Sequence, residues 1–526
     1  MSTTQNKTRQ QVVILGGGSS GWMTAASLAR FLCPHHYCIT LIESELIGTV
    51  GVGEATLPHL RSFNQLLGID ENEFMRETGA TYKLAIQFPG WGAKENSYFH
   101  PFGLSGQDIN GIDFHQYWLR LRQHGKALPF DQYSIAVQAA KQQKFSYPSD
   151  NPQDLRADYG YAFHLDATLY AQYLRKYAEQ RGVQRIEGKV AEVRRHEHET
   201  LDAKRGDIAC LVMESGQIIG GDLFIDCSGF AGVLIEQNLK TGYENWTHWL
   251  PCDRAIAVPT ERIENPPPYT RAAAKSAGWQ WRIPLQHRTG NGIVYCSGYL
   301  NDQQAQDILL KDIEEPPTAG LNKLRFTTGK RKATWQYNCV AIGLSAGFLE
   351  PLESTSLYLV QIAIQKLLEH FPSRTIGDVE RDSYNRQMDN EYLRVRDFII
   401  LHYKVNQRQD SDFWRYCQNM AVPDSLAAQM ELFKEGARIS EYRQGLFLPA
   451  SWLAVYLGQG MLPKRYDGRV DLAPLDSLEN YLANFHQQLV NAVNLMPLHS
   501  NSIKLTKQMA PSLYPAAPRS LYGINA

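Results

Sequence analysis

Apolar runs and amphipathic stretches alternate over the first part of the chain, as they do in α/β proteins. "QVVIL" predicts a buried strand, "GGGSSG" a glycine turn and "WMTAASLARFL" a helix. "YCITLIESE" then predicts a second buried strand that ends at Glu43. This order of elements predicts a βαβ unit with two parallel strands.

The α/β pattern is interrupted and then returns. "DATLYAQYLRKYAEQRG" predicts a helix, and "DLFIDCSGF" and "CVAIGLSAGF" predict further buried strands. "RAIAVPT" and "GIVYCSGYL" predict a second, antiparallel sheet, and the chain from about residue 376 is mostly helical. We therefore predict a discontinuous nucleotide-binding module within residues 1–375, formed by about 1–90, 160–235 and 330–375. The insertions between these parts, at about 91–159 and 236–329, would lie on the substrate side. Residues 376–526 would form a mostly helical region that covers the substrate.

Size and composition exclude several classes of protein. A chain of 526 residues allows about two or three structural units. Lys and Arg number 53 against 54 Asp and Glu, which gives no reason to expect a nucleic-acid or anionic-membrane partner. The eight cysteines contain no C-x-x-C pair, so neither a disulfide framework nor a zinc site is expected. No metal is expected. The polar start "MSTTQNKTRQ" and the lack of a long apolar run predict a soluble, cytoplasmic protein.

The glycine turn has the spacing of a dinucleotide cradle. Gly16, Gly18 and Gly21 form G-x-G-x-x-G, and Ser19 follows at the predicted helix start, where backbone amides can hold a pyrophosphate. Glu43 lies about 20 residues further on, where a carboxylate can accept a ribose hydroxyl. We predict a bound dinucleotide.

Two later segments favour FAD over NAD. "FIDCSGF" and "CVAIGLSAGF" resemble the returning strands of flavoprotein hydroxylases, in which the turn carrying Gly343 and Leu344 would lie along the isoalloxazine. Only one G-x-G-x-x-G is present, so no separate nicotinamide site is expected. The fold prediction is α/β, with a Rossmann-like FAD-binding domain of the glutathione-reductase and aromatic-hydroxylase type.

"EPLESTSLYLVQ" predicts a helix start that attracts an anion. Ser354 or Thr355 can cap the helix, leaving the amides of Thr355 and Ser356 directed outward. A halide held beside a flavin would be a reactant, although carboxylates such as Glu353 are also common in the first turn of ordinary helices. Lys83 has apolar neighbours in "TYKLAIQF" and either extends to solvent or lies in a cavity.

Together these segments resemble the flavin-dependent halogenases, particularly the tryptophan-halogenase branch, over most of the chain. The cradle "GGGSSGW", "IGTVGVGEATLP", the lysine in "YKLAIQF" and "EPLESTS" all match. "WQWRIP" supplies the W-x-W-x-I-P pattern that separates these halogenases from related monooxygenases. The pattern residues are Trp279, Trp281, Ile283 and Pro284.

The resemblance implies an activity and its residues. A separate reductase would supply FADH2, O2 would give a flavin hydroperoxide, and chloride or bromide would attack it to form hypohalous acid. Lys83 matches the family lysine that hydrogen-bonds this acid or holds it as a haloamine. Glu353 matches the glutamate that assists electrophilic substitution. The amides of Thr355 and Ser356 match the halide site. A homodimer is also implied. The segment at 47–58 resembles the strap that links the flavin and substrate sites in this family. It would lie beside the cofactor, with the contacts made by Val52, Gly53, Glu54, Ala55 and Thr56.

The substrate prediction rests on one match and one departure. "YFHPFG" resembles the segment in which His100 and Phe102 flank an indole. "ISEYRQGLFLPASWLAVYLGQG" offers Phe447 and Trp452 as walls, but it lacks the tyrosine pair that clamps free tryptophan in that family. Indole or an indole-bearing aromatic is therefore expected. The alternatives are a free-tryptophan halogenase, an FAD-dependent aromatic monooxygenase and a flavin-binding protein without turnover.

Overall fold

The computed structural model describes residues 9–46, 53–200, 203–372, 376–440 and 445–506. Its strands are β1 Gln10–Leu15, β2 Tyr37–Glu43, β3 Gly53–Ala55, β4 Thr81–Lys83, β5 Ala85–Pro89, β6 Ser97–Pro101, β7 Ala162–Asp166, β8 Gln184–Glu187, β9 Val190–Arg195, β10 Ile208–Met213, β11 Ile218–Gly220, β12 Leu223–Asp226, β13 Tyr243–Asn245, β14 Arg254–Thr260, β15 Tyr269–Lys275, β16 Gly278–Pro284, β17 Thr289–Tyr295, β18 Asn322–Arg325, β19 Gly329–Arg331, β20 Trp335–Gln336, β21 Cys339–Ala341 and β22 Gly347–Phe348. Its α-helices are α1 Ser19–Phe31, α2 His59–Leu67, α3 Glu71–Glu77, α4 Phe114–Gln123, α5 Ile135–Lys141, α6 Ala167–Glu179, α7 Asp302–Lys311, α8 Ser356–Glu369, α9 Asp378–Lys404, α10 Asp412–Asn419, α11 Asp424–Gly436, α12 Pro449–Gly458, α13 Leu475–Asn494 and α14 His499–Thr506.

The nucleotide-binding sheet has the strand order β20-β21-β12-β1-β2-β8. β1 lies in its interior and pairs in parallel with β12 and β2, and β12 pairs in parallel with β21. Val12, Val13 and Ile14 are buried, because a parallel strand is covered on both faces. The predicted βαβ unit and the α/β fold class are confirmed.

A second sheet has the order β18-β14-β17-β16-β15-β5-β6. β14, β17, β16 and β15 pair antiparallel, as the sequence predicts, and β5 joins β15 in parallel. β5 and β6 come from outside the predicted insertion at 236–329, so this sheet combines distant parts of the chain. A small sheet, β3-β7-β4, places the described part of the strap one strand away from Lys83. The domain boundaries stay a prediction.

Helices dominate the region after residue 376. α9 is the longest helix given above and contacts α8, α10, α11 and α12. Its last turns are apolar and buried, and they direct His402 and Tyr403 toward the segment before α8. Among the described residues, no helix combines the length and apolar character that crossing a membrane requires. That part of the chain also contains no group of three or more His, Cys, Asp or Glu side chains suited to a metal ion.

Candidate functional site

The turn between β1 and α1 is shaped by its glycines. Gly16 has φ +116°, and a Cβ there would lie 2.2 Å from the carbonyl oxygen of Cys227. A Cβ on Gly21 would lie 1.8 Å from the carbonyl oxygen of Gly16, whereas one on Gly18 would meet nothing within 4 Å. Gly18 therefore faces open space at the start of α1, where the first-turn amides can bind an anionic group.

A cleft of about 870 Å³ runs from this turn to the start of α8. Its walls are glycine backbone at one end and a mixture of apolar side chains and charged groups such as Arg175 and Lys189 elsewhere, which suits an elongated dinucleotide with a flat ring system. Glu54 projects into it, and burial raises the pKa of this carboxyl to about 7. The predicted cofactor residues that line the cleft are Gly16, Gly18, Ser19, Glu43, Gly53, Glu54, Ala55, Gly343 and Leu344.

The other predicted cofactor residues have different positions. Gly21 packs against the glycine turn, and the carbonyl oxygen of Thr56 accepts a hydrogen bond from Lys83. Val52 lies outside the described residues. Glu43 borders the cleft as predicted, with Oε1 2.5 Å from Arg185 Nε and Oε2 3.3 Å from Trp22 Nε1. These contacts fix a carboxylate that retains acceptor capacity for a ribose hydroxyl.

Lys83 is fully buried at the end of β4. Its Nζ donates to the carbonyl oxygen of Thr56 at 3.0 Å and to Ser354 Oγ at 2.8 Å. Nζ also lies 5.0 Å from the centre of the Phe102 ring. Burial lowers the pKa of the ammonium to about 7, although the nearby charge of Glu353 acts in the opposite direction. Lys83 therefore lies inside the protein rather than extending to solvent.

Glu353 is a buried carboxylate between two histidines. His100 Nδ1 lies 2.9 Å from its Oε2, and His402 Nε2 lies 2.8 Å from its Oε1. Burial alone would raise the pKa of Glu353, but His100 and His402 outweigh that effect and lower it to about 2. The carboxylate is thus held in its charged form in a site without solvent contact.

The start of α8 differs in detail from the sequence prediction. The helix begins at Ser356 with Thr355 at the N-cap position, and neither Thr355 nor Ser354 caps it with a side chain. Ser354 adopts φ +61°, and this left-handed turn directs its hydroxyl to Lys83 instead. Within the described chain, Thr355 Oγ1 is buried and has no hydrogen-bond partner, and Ser356 lines the cleft. First-turn amides and an unpartnered buried hydroxyl are suited to a small anion.

Aromatic side chains surround the Glu353 side of this region. The Phe398 and Phe447 rings stack with centres 3.8 Å apart, and the Trp452 ring lies edge-on to Phe398 at 5.2 Å. The His100 ring lies 6.3 Å from that of Phe447. Phe102, on the other side, meets Lys83. Among the predicted substrate residues, Phe102 therefore neighbours Lys83 and His100 contacts Glu353, whereas Phe447 and Trp452 pack around Phe398.

The W-x-W-x-I-P residues lie on β16 between the cleft and the interior. Trp279, Trp281 and Ile283 line the cleft. Trp279 Nε1 donates to Glu350 Oε2 at 2.7 Å, and the carbonyl oxygen of Pro284 accepts from Thr81 Oγ1 at 2.7 Å. The motif therefore contacts both the β4 strand that carries Lys83 and the segment that carries Glu353.

Sequence reasoning missed two residues of α9: His402, which contacts Glu353, and Phe398, whose ring lies 5.7 Å from that of His100. Phe398 and His402 are four residues apart and share a helix face, so both reach the same site. His402 Nδ1 also lies 3.0 Å from the Tyr98 hydroxyl. The available signal was a lone histidine in the apolar helix "FIILHY", but such a residue is usually only a core histidine.

The fold and the cleft define the class: an α/β protein with an FAD-binding Rossmann-like domain. The sequence model of the tryptophan halogenase family matches residues 11–474. Tryptophan 6-halogenase SttH of Streptomyces toxytricini is 36% identical over 93% of this chain and 96% of its own.

Solved structures of flavin-dependent halogenases agree with this family assignment. Xcc4156, a flavin-dependent halogenase from Xanthomonas campestris, has a TM-score of 0.90 and 42% identity, covering 97% of this chain and all of its own. BrvH, a flavin-dependent halogenase from Brevundimonas sp. BAL3, has a TM-score of 0.90 and 43% identity, covering 95% of this chain and 99% of its own. The chain belongs to the tryptophan halogenase family and is a halogenating enzyme.

Proposed function

We propose that this enzyme chlorinates or brominates indole, or an indole-bearing aromatic, through Lys83 and Glu353. The observation that carries the proposal is the position of Lys83 between two regions. Its Nζ donates to Ser354, which lines the cleft, and to the carbonyl oxygen of Thr56, and it lies 5.0 Å from the ring of Phe102, a predicted substrate residue. A group that receives an oxidant from the cleft and presents it to an aromatic ring requires such a position.

The cleft residues would bind FAD, with the pyrophosphate at the Gly18 end of α1 and the ribose at Glu43. FAD held there and reduced by a separate flavin reductase would supply, with O2, halide and a proton, the hypohalous acid. The amides of Thr355 and Ser356 would hold the chloride or bromide, because the positive end of the α8 dipole lies there. The side chain of Thr355 is buried without a protein partner and can add a donor to the same ion.

Lys83 would guide the oxidant as a hydrogen-bond donor. An ammonium has three N–H groups, and two of them are used by Thr56 and Ser354. The third N–H is available to hypohalous acid and would polarise it toward an electrophilic halogen. Burial strengthens this interaction because no water competes for the donor.

Glu353 would stabilise the ring while halogen is added. Electrophilic attack gives the indole ring a positive charge, and a buried carboxylate stabilises such a charge more strongly than one in water. A carboxyl group whose pKa is about 2 is a weak base, yet it suffices to accept the proton of a cationic ring. His100 and His402 hold the carboxylate in place.

The substrate assignment rests on the aromatic residues near Glu353 and on the sequence of the segment that carries two of them. Phe447 and Trp452 provide aromatic surface, and the segment at 439–460 contains Tyr442, which lies outside the described residues, but no tyrosine pair. A free amino acid would require partners for an ammonium and a carboxylate. Indole has neither charge, so we place it before free tryptophan.

Mass spectrometry of the product tests this function. The enzyme is incubated with FAD, NADH, a flavin reductase, and chloride or bromide, in separate reactions with indole and with tryptophan. We expect halogenated indole, little halogenated tryptophan, and neither with Lys83→Ala. Lys434→Ala is the matched control, because Lys434 is about half exposed and pairs only loosely with Glu431 at 3.8 Å.

Each outcome separates the candidates. Halogen on free tryptophan with equal or greater efficiency would overturn the substrate assignment but keep the reaction. Oxygenated indole without halogen would indicate a monooxygenase and overturn the proposal. Halogenation that persists in Lys83→Ala would remove Lys83 from the mechanism.

A further inference from the structure

The carboxyl group of Glu350 joins two distant parts of the fold. It is fully buried, and its Oε2 accepts hydrogen bonds from Trp279 Nε1 and from the Tyr403 hydroxyl, both at 2.7 Å. Trp279 belongs to β16 of the second sheet, and Tyr403 belongs to α9. A buried carboxyl with two strong donors on one oxygen is fixed in orientation.

Glu350 begins the segment that carries the catalytic groups proposed above. Glu353 follows three residues later, after Pro351, and Ser354 comes next. The two carboxyl groups are held by consecutive residues of α9, since Tyr403 donates to Glu350 and His402 contacts Glu353.

The conformation of this segment requires such support. Ser354 has φ +61° and ψ +34°, a left-handed conformation that is unfavourable for a residue with a Cβ. In this conformation its hydroxyl accepts a hydrogen bond from Lys83. Surrounding contacts must therefore fix both ends of the turn, and Glu350 is the buried polar contact at its N-terminal end.

We propose that Glu350 is a positioning residue: through Trp279 and Tyr403 it holds residues 350–355 so that Ser354 meets Lys83 and Glu353 meets His402. The indole N–H of Trp279, the first tryptophan of W-x-W-x-I-P, acts in this way through Glu350. The inference rests on the proposed function, because the groups that it positions are those of the halogenation site.

The two hydrogen bonds that Glu350 accepts from Trp279 and Tyr403 form a bridge between β16 and α9, and variants that remove one donor but keep an aromatic side chain test it. Trp279→Phe and Tyr403→Phe should each lower the haloindole formed per reduced flavin by about tenfold, the effect of losing one hydrogen bond to a carboxyl group. Tyr403→Phe leaves the residues that line the cleft unchanged, so in this variant the rate of flavin oxidation and the affinity for FAD should stay within about twofold of wild type. Glu350→Gln retains an acceptor oxygen and should recover most of the coupling that Glu350→Ala loses.

Non-additivity is the readout that a merely structural role would not give. In the Glu350→Ala background, adding Trp279→Phe should produce little further loss, because the N–H acts through Glu350. Trp118→Phe is the matched control: this buried tryptophan donates Nε1 to the carbonyl oxygen of Leu128 at 2.8 Å, outside the site. It should leave the product yield per flavin unchanged.

The outcomes also separate this inference from the proposed function. If the wild-type enzyme halogenates indole and Trp279→Phe retains its yield per flavin, the bridge is refuted while the function stands. Additive losses in the double variant would likewise refute the bridge, as would losses in Tm alone. If the wild-type enzyme forms no haloindole, the proposed function fails first.

Discussion

The titration of Lys83 gives a quantitative test of its role. Burial lowers its pKa from 10.5 to about 7, which corresponds to about 5 kcal/mol of lost stabilisation of the ammonium relative to the amine. Because the folded-state pKa is about 7, the ammonium makes up about nine tenths of Lys83 at pH 6 and about one tenth at pH 8. If the ammonium donates to hypohalous acid, the rate of halogen transfer should therefore fall about tenfold between pH 6 and pH 8.

A single-turnover assay isolates this step. Pre-reduced FAD, enzyme, bromide and indole are mixed with oxygenated buffer, flavin absorbance follows cofactor oxidation, and quenched samples give haloindole. We expect an inflection near pH 7 in haloindole formation that is absent from flavin oxidation. Lys83→Met, which is close in size and has no charge, should lose both the product and the inflection.

Three results would refute this reasoning. A wild-type rate that stays level from pH 6 to pH 8 would mean that the protonation of Lys83 does not limit transfer. A rate that rises with pH would assign the role to the neutral amine, through a haloamine. The same inflection in Lys83→Met would assign the titration to another group.

Three further predictions follow from single contacts. Glu353→Gln keeps the size of the side chain but removes its charge, so haloindole formation should fall about a hundredfold or more while FAD affinity, measured by calorimetry, is retained. Gly21→Ala should abolish FAD binding in the same titration, because its Cβ would lie 1.8 Å from the carbonyl oxygen of Gly16. The Cβ of Gly18→Ala meets no protein atom within 4 Å, so this variant should still fold with the native circular dichroism spectrum. Burial lowers the pKa of His499 to about 4, so the unfolded state gains a proton first as the pH falls, and about 2 kcal/mol of stability is lost from this group between pH 7 and pH 5. Other groups also titrate in this range, so the two proteins are compared: the stability lost in urea unfolding between pH 7 and pH 5 should be about 2 kcal/mol smaller in His499→Gln than in wild type.

The cradle could be predicted from the sequence because its determinants are local. The apolar runs of β1 and β2, the glycine spacing between them and the strand-terminal Glu43 all lie within one short βαβ unit. Periodicity predicts which faces are buried, and steric limits decide where only glycine fits. The motifs around Lys83, Trp279 and Glu353 likewise carried the resemblance to the family.

The hydrogen-bond partners of the buried polar groups could not be predicted in the same way. The sequence favoured Ser354 or Thr355 as a helix cap, yet the Ser354 hydroxyl accepts from Lys83, which is 271 residues away in the chain. A short hydroxyl side chain can satisfy several neighbours equally well, and only the packing of β4 against this turn decides which of them it meets.

The sequence by itself determined the α/β class, the glycine cradle and the FAD-type fold, and it supplied the candidate residues for catalysis. Only the tertiary structure decided that His100 and His402 hold Glu353 between them, that Lys83 is fully buried, and that Trp279 reaches Glu350. The physical reason is the distance along the chain over which each kind of interaction acts. Steric and periodic patterns act over a few residues, whereas burial and the pairing of polar groups depend on segments that meet only when the sheets and α9 pack together.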